Sequence, residues 1–269
     1  MISRAMPGHL RAVLVLAAFV TGVSCQHPAP GNAAADRNGV PRTTEGKPDL
    51  TGVWQPDSDR PGTWEEANQG VGVPDPGAGR RVRKAEPIPY QDWAAQKVLA
   101  SYKQRYIDNP VARCIPQLDL GAGSLYPNEF IQTPQAIVIL TESRHVFRLI
   151  PLNEKHPDDL DPSYLGDSVG CWEGDTLVVD VTGFKEQLTG SEIHTDGWHI
   201  VERFTRVDRN TINYEATLED PKALTRPWHI TSQYMLRPGT RLQEHVCEEN
   251  NQDPTHFEEL SKKGLVTRK

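Results

Sequence analysis

The sequence has 269 residues, of which 37% are hydrophobic and 24% are charged, and it contains 22 prolines and 21 glycines. These proportions fit one globular domain or two small ones, and they exclude a coiled coil, a collagen-like chain and a wholly disordered chain. The formal net charge is -7 and the pI is about 5.7. Nucleic acid is therefore not expected as a partner, because nucleic-acid binding needs a strongly basic face.

The first residues have the pattern of an export signal. Arg4 and Arg11 give the start a positive charge, and the apolar run Ala12–Val23 is too short to span a membrane. Cleavage before Cys25 would leave that residue at a new N-terminus, as in bacterial lipoproteins, although Gly22 stands where leucine or valine is usual. We expect an exported protein of a bacterial cell envelope, at the outer membrane or in the periplasm, held to the membrane by a lipid on Cys25. Plain signal cleavage is the alternative.

The composition divides the chain into three parts. Residues 1–24 are expected to be removed as a signal peptide, and residues 25–48, which are rich in small and polar residues, are expected to form a flexible tether. Residues 49–269 then form a single domain. Within it we expect a segment of loops and one helix over 49–134 and a meander of strands over 135–250.

Two elements are predicted before the strands. Asp49–Trp54 has the pattern of a first short strand. Tyr90–Asp108 follows a proline and is expected to form a helix. Leu99, Tyr102 and Tyr106 fall on one face of that helix, so we expect them to pack against the core.

From about residue 135 the hydrophobic pattern has a period of two, which is typical of β-strands. Short turns divide this region into four consecutive hairpins. The paired segments are Ala136–Leu140 with His145–Ile150, Gly170–Trp172 with Thr176–Val181, Ile200–Asp208 with Thr211–Leu218, and Ile230–Leu236 with Arg241–Cys247. We therefore predict a mainly β fold with an eight-stranded antiparallel barrel, an N-terminal helix and long loops, with an open two-sheet sandwich as the alternative. A last short helix is expected over Thr255–Leu260.

Three polar residues fall among apolar neighbours on strand faces that are expected to point into the barrel: Glu202, Glu244 and His145. Carboxylates that meet one another and an imidazole away from water shift one another's proton affinities and can act as general acid and base. These three residues are therefore the first catalytic candidates. The alternative is that each glutamate forms a buried salt bridge with an arginine, for which the candidates are Arg148, Arg203 and Arg206.

The segment that leads into the Ile200 strand holds the densest group of possible metal ligands, His194, Asp196, His199 and Glu202. Their spacing matches no fixed metal signature such as H-E-x-x-H, so no cofactor is predicted, and a divalent metal at His194, His199 and Glu202 is the alternative. His194 and His199 are further catalytic candidates, as proton donors to a bound substrate at the mouth of the barrel. Otherwise they cap backbone groups of a loop.

Three other residues are candidates for contact with a ligand. On the predicted strand Thr211–Leu218, Glu215 and Thr217 lie on the face opposite the apolar residues. They would line a barrel that holds a polar ligand, or else form a solvated outer face. Trp228 is the third candidate.

The sequence has no G-x-S-x-G motif, no P-loop and no dinucleotide-binding fingerprint. We expect an exported small-molecule-binding barrel. It is either an enzyme that uses acid–base chemistry on a small hydroxylated or cyclic substrate, as a lyase, isomerase or hydrolase, or a non-catalytic ligand-binding lipoprotein of the envelope.

Disulfides persist in exported proteins. Apart from Cys25 the chain has three cysteines, Cys114, Cys171 and Cys247. Three cysteines allow one bridge and one leftover thiol, and their positions alone do not decide which two pair.

Several strings of the sequence occur together in a fixed order. They are Lys47–Trp54, Gly166–Asp180, Glu202–Phe204, Tyr214–Thr217, Glu219–Pro221, Pro227–Trp228 and Glu244–Asn250. As a set they resemble a family of exported bacterial proteins of unassigned function, over about residues 47–250. The resemblance implies export, one continuous domain and a Cys114–Cys247 disulfide. A shorter likeness, Gly52-Val53-Trp54, is similar to the first strand of lipocalin-type (calycin) barrels.

Overall fold

A computed structural model describes residues 39–56, 87–104, 107, 109–118, 120, 126–143, 146–189, 192–247 and 251–266. The predicted signal peptide, Cys25, Tyr106 and His145 lie outside these residues. Neither helix in this part of the chain is both long and apolar enough to cross a lipid bilayer.

Eleven strands, two α-helices and one 3₁₀ helix make up the described part of the chain. In order they are β1 (Gly52–Pro56), α1 (Asp92–Lys103), the 3₁₀ helix (Pro110–Arg113), β2 (Asn128–Gln132), β3 (Ala136–Thr141), β4 (Val146–Pro151), β5 (Asp167–Glu173), β6 (Thr176–Thr182), β7 (Gln187–Thr189), β8 (Glu192–His194), β9 (His199–Arg206), β10 (Thr211–Glu219), β11 (Trp228–Leu236) and α2 (Asp253–Lys262).

Nine of the described strands form one sheet in the order β4-β3-β2-β1-β11-β10-β9-β6-β5, and β7 and β8 form a separate hairpin. Every neighbouring pair in the large sheet is antiparallel. Since the number of strands is odd, the first and the last strand of this order must point the same way. They do, because Leu152 and Gly170, at β4 and β5, form a parallel bridge, and the Asn153 amide donates to the Gly170 carbonyl at 2.7 Å. This contact brings the sheet close to a closed barrel.

The mainly β, antiparallel, barrel-shaped fold and the helices are confirmed, but the strand count differs from the eight predicted. The segment Arg241–Cys247 is not a strand, because the edge of β11 that it was expected to pair with is occupied by β1. The short strand β2, which has polar residues at both ends, was not predicted.

The face of α1 that packs against the rest of the protein differs from the predicted one. Leu99 and Tyr102 are 50% and 63% exposed, so the expected packing through these side chains is wrong. The helix instead contacts its neighbours through the face that carries Ala94, which packs with Ile193 and Ala223. The C-terminal helix is present as α2.

The interior of the barrel is filled by side chains. Its centre holds five aromatic residues that are 3% exposed or less: Trp54, Phe130, Phe204, Tyr214 and Tyr234. The ring centroids of Phe204 and Tyr214 are 5.0 Å apart, and those of Phe130 and Phe204 are 5.7 Å apart. The middle of the barrel is therefore a packed core, as in small barrels generally.

One end of the barrel is closed by the segment 39–51, which we call the strap. Leu50 of the strap is fully buried, and its carbonyl accepts a hydrogen bond from Trp54 Nε1 at 2.9 Å. Arg206 donates to the Asp49 carbonyl and lies over the Trp54 ring. These contacts close the end of the barrel to which β9 runs.

The strap also binds the turn between β5 and β6. Arg42 donates to both carboxylate oxygens of Asp175, at 2.8 and 2.6 Å, and Lys47 donates to the Gly174 carbonyl at 3.1 Å. Residues 39–48, which were expected to belong to the tether, are thus held on the barrel.

The Cys114–Cys247 disulfide is confirmed, with its Cα atoms 5.7 Å apart and a sequence separation of 133. Cys171 is also disulfide-bonded, so the expectation of a leftover thiol is wrong. The Cys114–Cys247 bridge ties the segment after β11 to the chain that follows the 3₁₀ helix. α2 packs nearby, where Leu260 contacts Ile107.

Candidate functional site

A small pocket of about 30 Å³, partly open to solvent, lies at the end of the barrel opposite the strap. Strand register shows that the pocket and the strap lie at opposite ends of the barrel. At one end of β10, Leu218 pairs with Trp228 and Ile200. At the other end, Ile212 pairs with Arg206, which lies beside the strap. Leu218 and Trp228 line the pocket from the barrel side. The β7–β8 hairpin and the segments beside α1 and the 3₁₀ helix supply the rest of the wall.

His194, the last residue of β8, is the central polar side chain of this pocket. It is 5% exposed, and its ring stacks on Trp198 with centroids 4.0 Å apart and planes 20° apart. Burial lowers the pKa of His194 to about 4, against the opposing effect of a hydrogen bond to the Thr195 backbone. The imidazole is therefore neutral near pH 7. Its Nδ1 atom has no hydrogen-bond partner within the described residues.

Gln187 of β7 brings a second unpartnered polar atom to the same wall. Its Nε2 donates weakly to the Pro116 carbonyl at 3.4 Å, and its Oε1 has no partner in the described part of the chain. Beside it, Gln117 Nε2 donates to Thr189 Oγ1 at 3.3 Å. A bound water molecule or a ligand at this pocket would complete the hydrogen bonds of both atoms.

Tyr90 contributes a hydroxyl to the pocket wall. Its oxygen accepts a hydrogen bond from the Ile193 amide at 3.1 Å. Burial raises the pKa of Tyr90 to about 12, so the phenol stays protonated at neutral pH.

Asp220 lines the pocket, but its carboxylate accepts hydrogen bonds from nearby backbone amides. One oxygen accepts from the Thr195 amide at 2.7 Å, and the other accepts from the Thr195 hydroxyl at 2.8 Å and from the amides of Lys222 and Ala223. This carboxylate therefore fixes the loop that follows His194. In the sequence Glu219–Pro221 stands out only as one of the strings of the family resemblance, and no pattern there indicates this role of Asp220.

Glu202, 1% exposed on β9, has both oxygens occupied. Arg148 of β4 donates to one oxygen and also to Ser168 Oγ of β5 at 2.9 Å. The Tyr214 hydroxyl donates to the other oxygen at 2.9 Å. The salt bridge to Arg148 that was the alternative prediction is confirmed. Glu202 pairs with Ala216, two residues further into the barrel than Leu218, and does not line the pocket.

Glu202 and Glu244 do not meet inside the barrel, and His145, the third residue of that hypothesis, lies outside the described residues. Glu244 is exposed on the segment after β11, which left the sheet because β1 occupies that edge. On β4 the inward residues are Arg148 and Ile150, while the predicted inward face is turned outward. Its residues Phe147 and Leu149 are 67% and 53% exposed.

His199 lies on the outer face of β9, apart from the pocket. Its Nε2 is 2.5 Å from Asp180 Oδ1, and its Nδ1 is 3.7 Å from Glu219. The hydrogen bond that His199 donates to Asp180 raises the pKa of His199 against a smaller effect of burial. His199 is thus paired with carboxylates and not positioned to serve a ligand at the mouth.

The three metal candidates lie in three different places: His194 in the pocket wall, His199 on the outer face and Glu202 inside the barrel. Within the described ranges, no group of three or more His, Cys, Asp or Glu side chains could hold a metal ion. Asp196, the fourth donor of that segment, is exposed and paired with Lys222 at 2.6 Å.

The ligand candidates also separate. Glu215 is exposed and Thr217 faces outward on β10, where its hydroxyl lies 3.1 Å from His229 Nδ1. Trp228 is 4% exposed and lies in the pocket.

Comparison of the chain with protein-family models and with curated proteins finds no match.

Proposed function

We propose that this chain is an exported protein that binds a small hydroxylated or cyclic molecule in the pocket at the open end of its barrel. The observation that carries the proposal is the unpartnered Nδ1 of His194, which is buried in the wall of an apolar pocket. Ligand pockets typically combine an apolar lining with a few polar groups. The pocket has this composition.

The energetic reason is the cost of leaving such atoms unpaired. A buried polar atom without a hydrogen bond destabilises a fold by about 1–3 kcal/mol. His194 Nδ1 and Gln187 Oε1 both have this cost in the described chain. A ligand with a matching polar group would remove it, as a bound water molecule would.

The test is to identify what the pocket holds. The full chain is purified from its native host, denatured, and the released small molecules are analysed by mass spectrometry. Gln117 lies half-buried at the pocket, so Gln117→Trp should block it and abolish the released compound. Gln96→Trp, the same substitution on the exposed face of α1, should retain it. A compound that is equally abundant in wild type and Gln117→Trp would refute the proposal.

A second candidate function is acid–base catalysis with His194 as the base. A neutral imidazole with an unoccupied nitrogen can accept a proton from a substrate. However, a general base works best when its pKa is near the working pH, and that of His194 is about 4. Binding therefore ranks before catalysis. If the released compound is turned over by wild type and not by His194→Gln, which keeps a polar acceptor at that position, catalysis takes first place.

We also propose that the chain reaches the cell envelope and carries a lipid on Cys25. The export pattern of the first residues and the Cys114–Cys247 disulfide support the exported location. Labelling with radioactive palmitate should mark wild type and not Cys25→Ala. Because Cys114 pairs with Cys247, a lipid on the Cys25 sulfur and an intrachain disulfide at Cys171 exclude one another, so a chain that carries the palmitate label should have a free Cys171 thiol. Equal labelling of both proteins, or none, would refute the lipid.

A further inference from the structure

We propose that the outer face of strands β2, β3 and β4 lies against a lipid bilayer, with its exposed apolar side chains just below the headgroups. This inference goes beyond the proposed ligand binding. Only its last step, which concerns the tether, rests on the proposed lipid at Cys25. The inference is carried by the side chains of this face, by its lack of charge and by its area.

Strand alternation makes almost the whole outer face of these three strands apolar. Their burial patterns show that every second residue points away from the core. Val138 of β3 pairs with both Ile131 of β2 and Leu149 of β4, so the outward side chains of the three strands lie side by side. The apolar residues among them, which we call the apolar face, are Ile131, Ala136, Val138, Leu140, Phe147, Leu149 and Pro151.

Three side chains of the apolar face are largely accessible to solvent. Phe147 is 67% exposed, Leu149 is 53% exposed and Ile131 is 40% exposed. Single apolar residues on a surface need no explanation, but a contiguous apolar area marks a place of contact with another surface. The outer side of β9 and β10 shows the contrast, because it carries charged residues such as Arg203 and Glu215.

The lack of charge on this face favours a neutral partner. Among the described outward residues of the three strands, only Glu129 is charged, and it pairs with Leu140 at one side of the face. A protein partner chosen by electrostatic complementarity would meet matching charges here, and the face does not offer them. The net charge of -7 also gives no attraction to anionic lipid. Zwitterionic headgroups have no net charge and are compatible with both observations.

The area of the face distinguishes a bilayer from a second copy of the chain. A stable protein–protein interface covers about 800 Å² on each partner. The exposed parts of Phe147, Leu149 and Ile131 reach only a few hundred square ångströms, since even a large aromatic side chain has about 150–250 Å² in total. A dimer through this face alone would therefore be too small to be stable. A bilayer sets no such minimum, because binding grows with the apolar area that is buried in it.

The chain enters the fold close to the apolar face. The strap starts at residue 39 and reaches the end of β2, where Gln132, the neighbour of Ile131, donates to the Pro48 carbonyl at 3.1 Å. Cys25 lies 14 positions before residue 39. A stretch of this length spans at most about 45 Å. A lipid on Cys25 would therefore keep the apolar face within reach of the bilayer and raise its local concentration there.

The first test maps the surface that touches lipid. The full chain is exposed to hydroxyl radicals with and without phosphatidylcholine vesicles, and the oxidation of each residue is measured by mass spectrometry. Phe147 and Leu149 should lose most of their labelling when vesicles are present. Leu99 and Tyr102 are the matched controls, because they are 50% and 63% exposed on α1, and their labelling should not change.

The second test removes the apolar side chains. Phe147→Thr with Leu149→Thr introduces polar residues that are favourable in strands. In the Cys25→Ala chain, which has no lipid, this pair should weaken co-sedimentation with phosphatidylcholine vesicles about tenfold or more. Leu99→Gln with Tyr102→Gln in the same background should leave it unchanged. Thermal melting shows whether each variant is folded, and the labelling of wild type gives the answer even where a variant is not.

The outcomes separate this inference from the earlier proposals. The membrane contact is wrong if vesicles protect Phe147 and Leu149 no more than Leu99 and Tyr102. It is also wrong if vesicles give no protection and ultracentrifugation shows a dimer that Phe147→Thr with Leu149→Thr abolishes, because the face then belongs to a second copy. Protection of the face in a chain without palmitate label would refute the lipid at Cys25 and support the membrane contact. None of these results bears on the compound released from the pocket.

Discussion

The first prediction concerns Arg148, which crosses the parallel contact between the two ends of the sheet. From β4 it reaches Ser168 on β5 and Glu202 on β9, and it is 8% exposed. Arg148→Met keeps most of the side-chain volume but leaves the Glu202 carboxylate buried without its counter-ion. Breaking a buried ion pair from one side typically destabilises a protein by about 3–5 kcal/mol. We expect a loss of this size in the free energy of unfolding.

Removing both charges should cost much less. In Arg148→Met with Glu202→Gln, the remaining amide can still accept a hydrogen bond from Tyr214. Because hydrophobic or neutral replacement of a whole buried pair is often close to neutral, the double variant should be more stable than Arg148→Met alone. The matched control is Arg203→Met, since Arg203 pairs with Glu173 at 2.7 Å on the exposed outer face and should cost about 0–1 kcal/mol.

The assay is urea unfolding followed by circular dichroism, with hydrogen exchange to locate the change. In Arg148→Met, hydrogen exchange should speed up more for the amides of β4 and β5 than for those of β10 and β11, because only β4 and β5 lose the contact that Arg148 makes between the two ends of the sheet. The reasoning is refuted if Arg148→Met costs no more than Arg203→Met, or if the double variant is less stable than the single one.

Three further predictions can be checked with similar measurements. Because burial depresses the pKa of His194 to about 4, its contribution to the free energy of unfolding is present above pH 6.5 and is lost as pH falls toward 4, by at most about 3 kcal/mol. The free energy of unfolding in urea should therefore fall less between pH 7 and pH 5 in His194→Phe than in wild type. An equal fall in the two proteins would contradict this. Because the pKa of His199 is raised, its contribution is present at acid pH and is lost as pH rises through the folded pKa; NMR titration should show this pKa falling in Asp180→Asn. Replacing Cys114 and Cys247 by serine should cost about 5 kcal/mol in the chain-entropy model for a loop of 133 residues; a thermal melt within 2 °C of wild type would contradict it.

Local features of the sequence predicted three of the four hairpins correctly. Glu173-Gly174-Asp175 and Arg209-Asn210 are short turns between alternating segments, and both join paired strands in the structure. Pro238-Gly239 has the same local pattern, but β11 pairs with β1, which lies far away in sequence. Nothing in the local pattern indicates that competitor, so the eighth predicted strand was misplaced.

Local pattern also explains which predictions about the site were right and which were wrong. Alternation placed Glu202 inside the barrel correctly, because its neighbours Ile200 and Phe204 are apolar on one face only. On β4 both faces contain apolar residues, so the pattern could not decide between Phe147 and Arg148 as the inward residue. The sequence reading chose the face without the arginine, and the hypothesis of an internal catalytic group followed from that choice.

The two buried polar groups that the sequence singled out, Glu202 and His194, differ in their hydrogen-bonding partners. Glu202 has an arginine on one oxygen and a tyrosine on the other, so no lone pair is directed to a ligand. His194 is almost as deeply buried, but its Nδ1 has no partner in the described chain. The strap closes one end of the barrel and aromatic rings fill its centre, and the pocket at the other end leads to the His194 ring. Burial with an incomplete set of partners, rather than burial alone, is what distinguishes the proposed binding residue from the structural one.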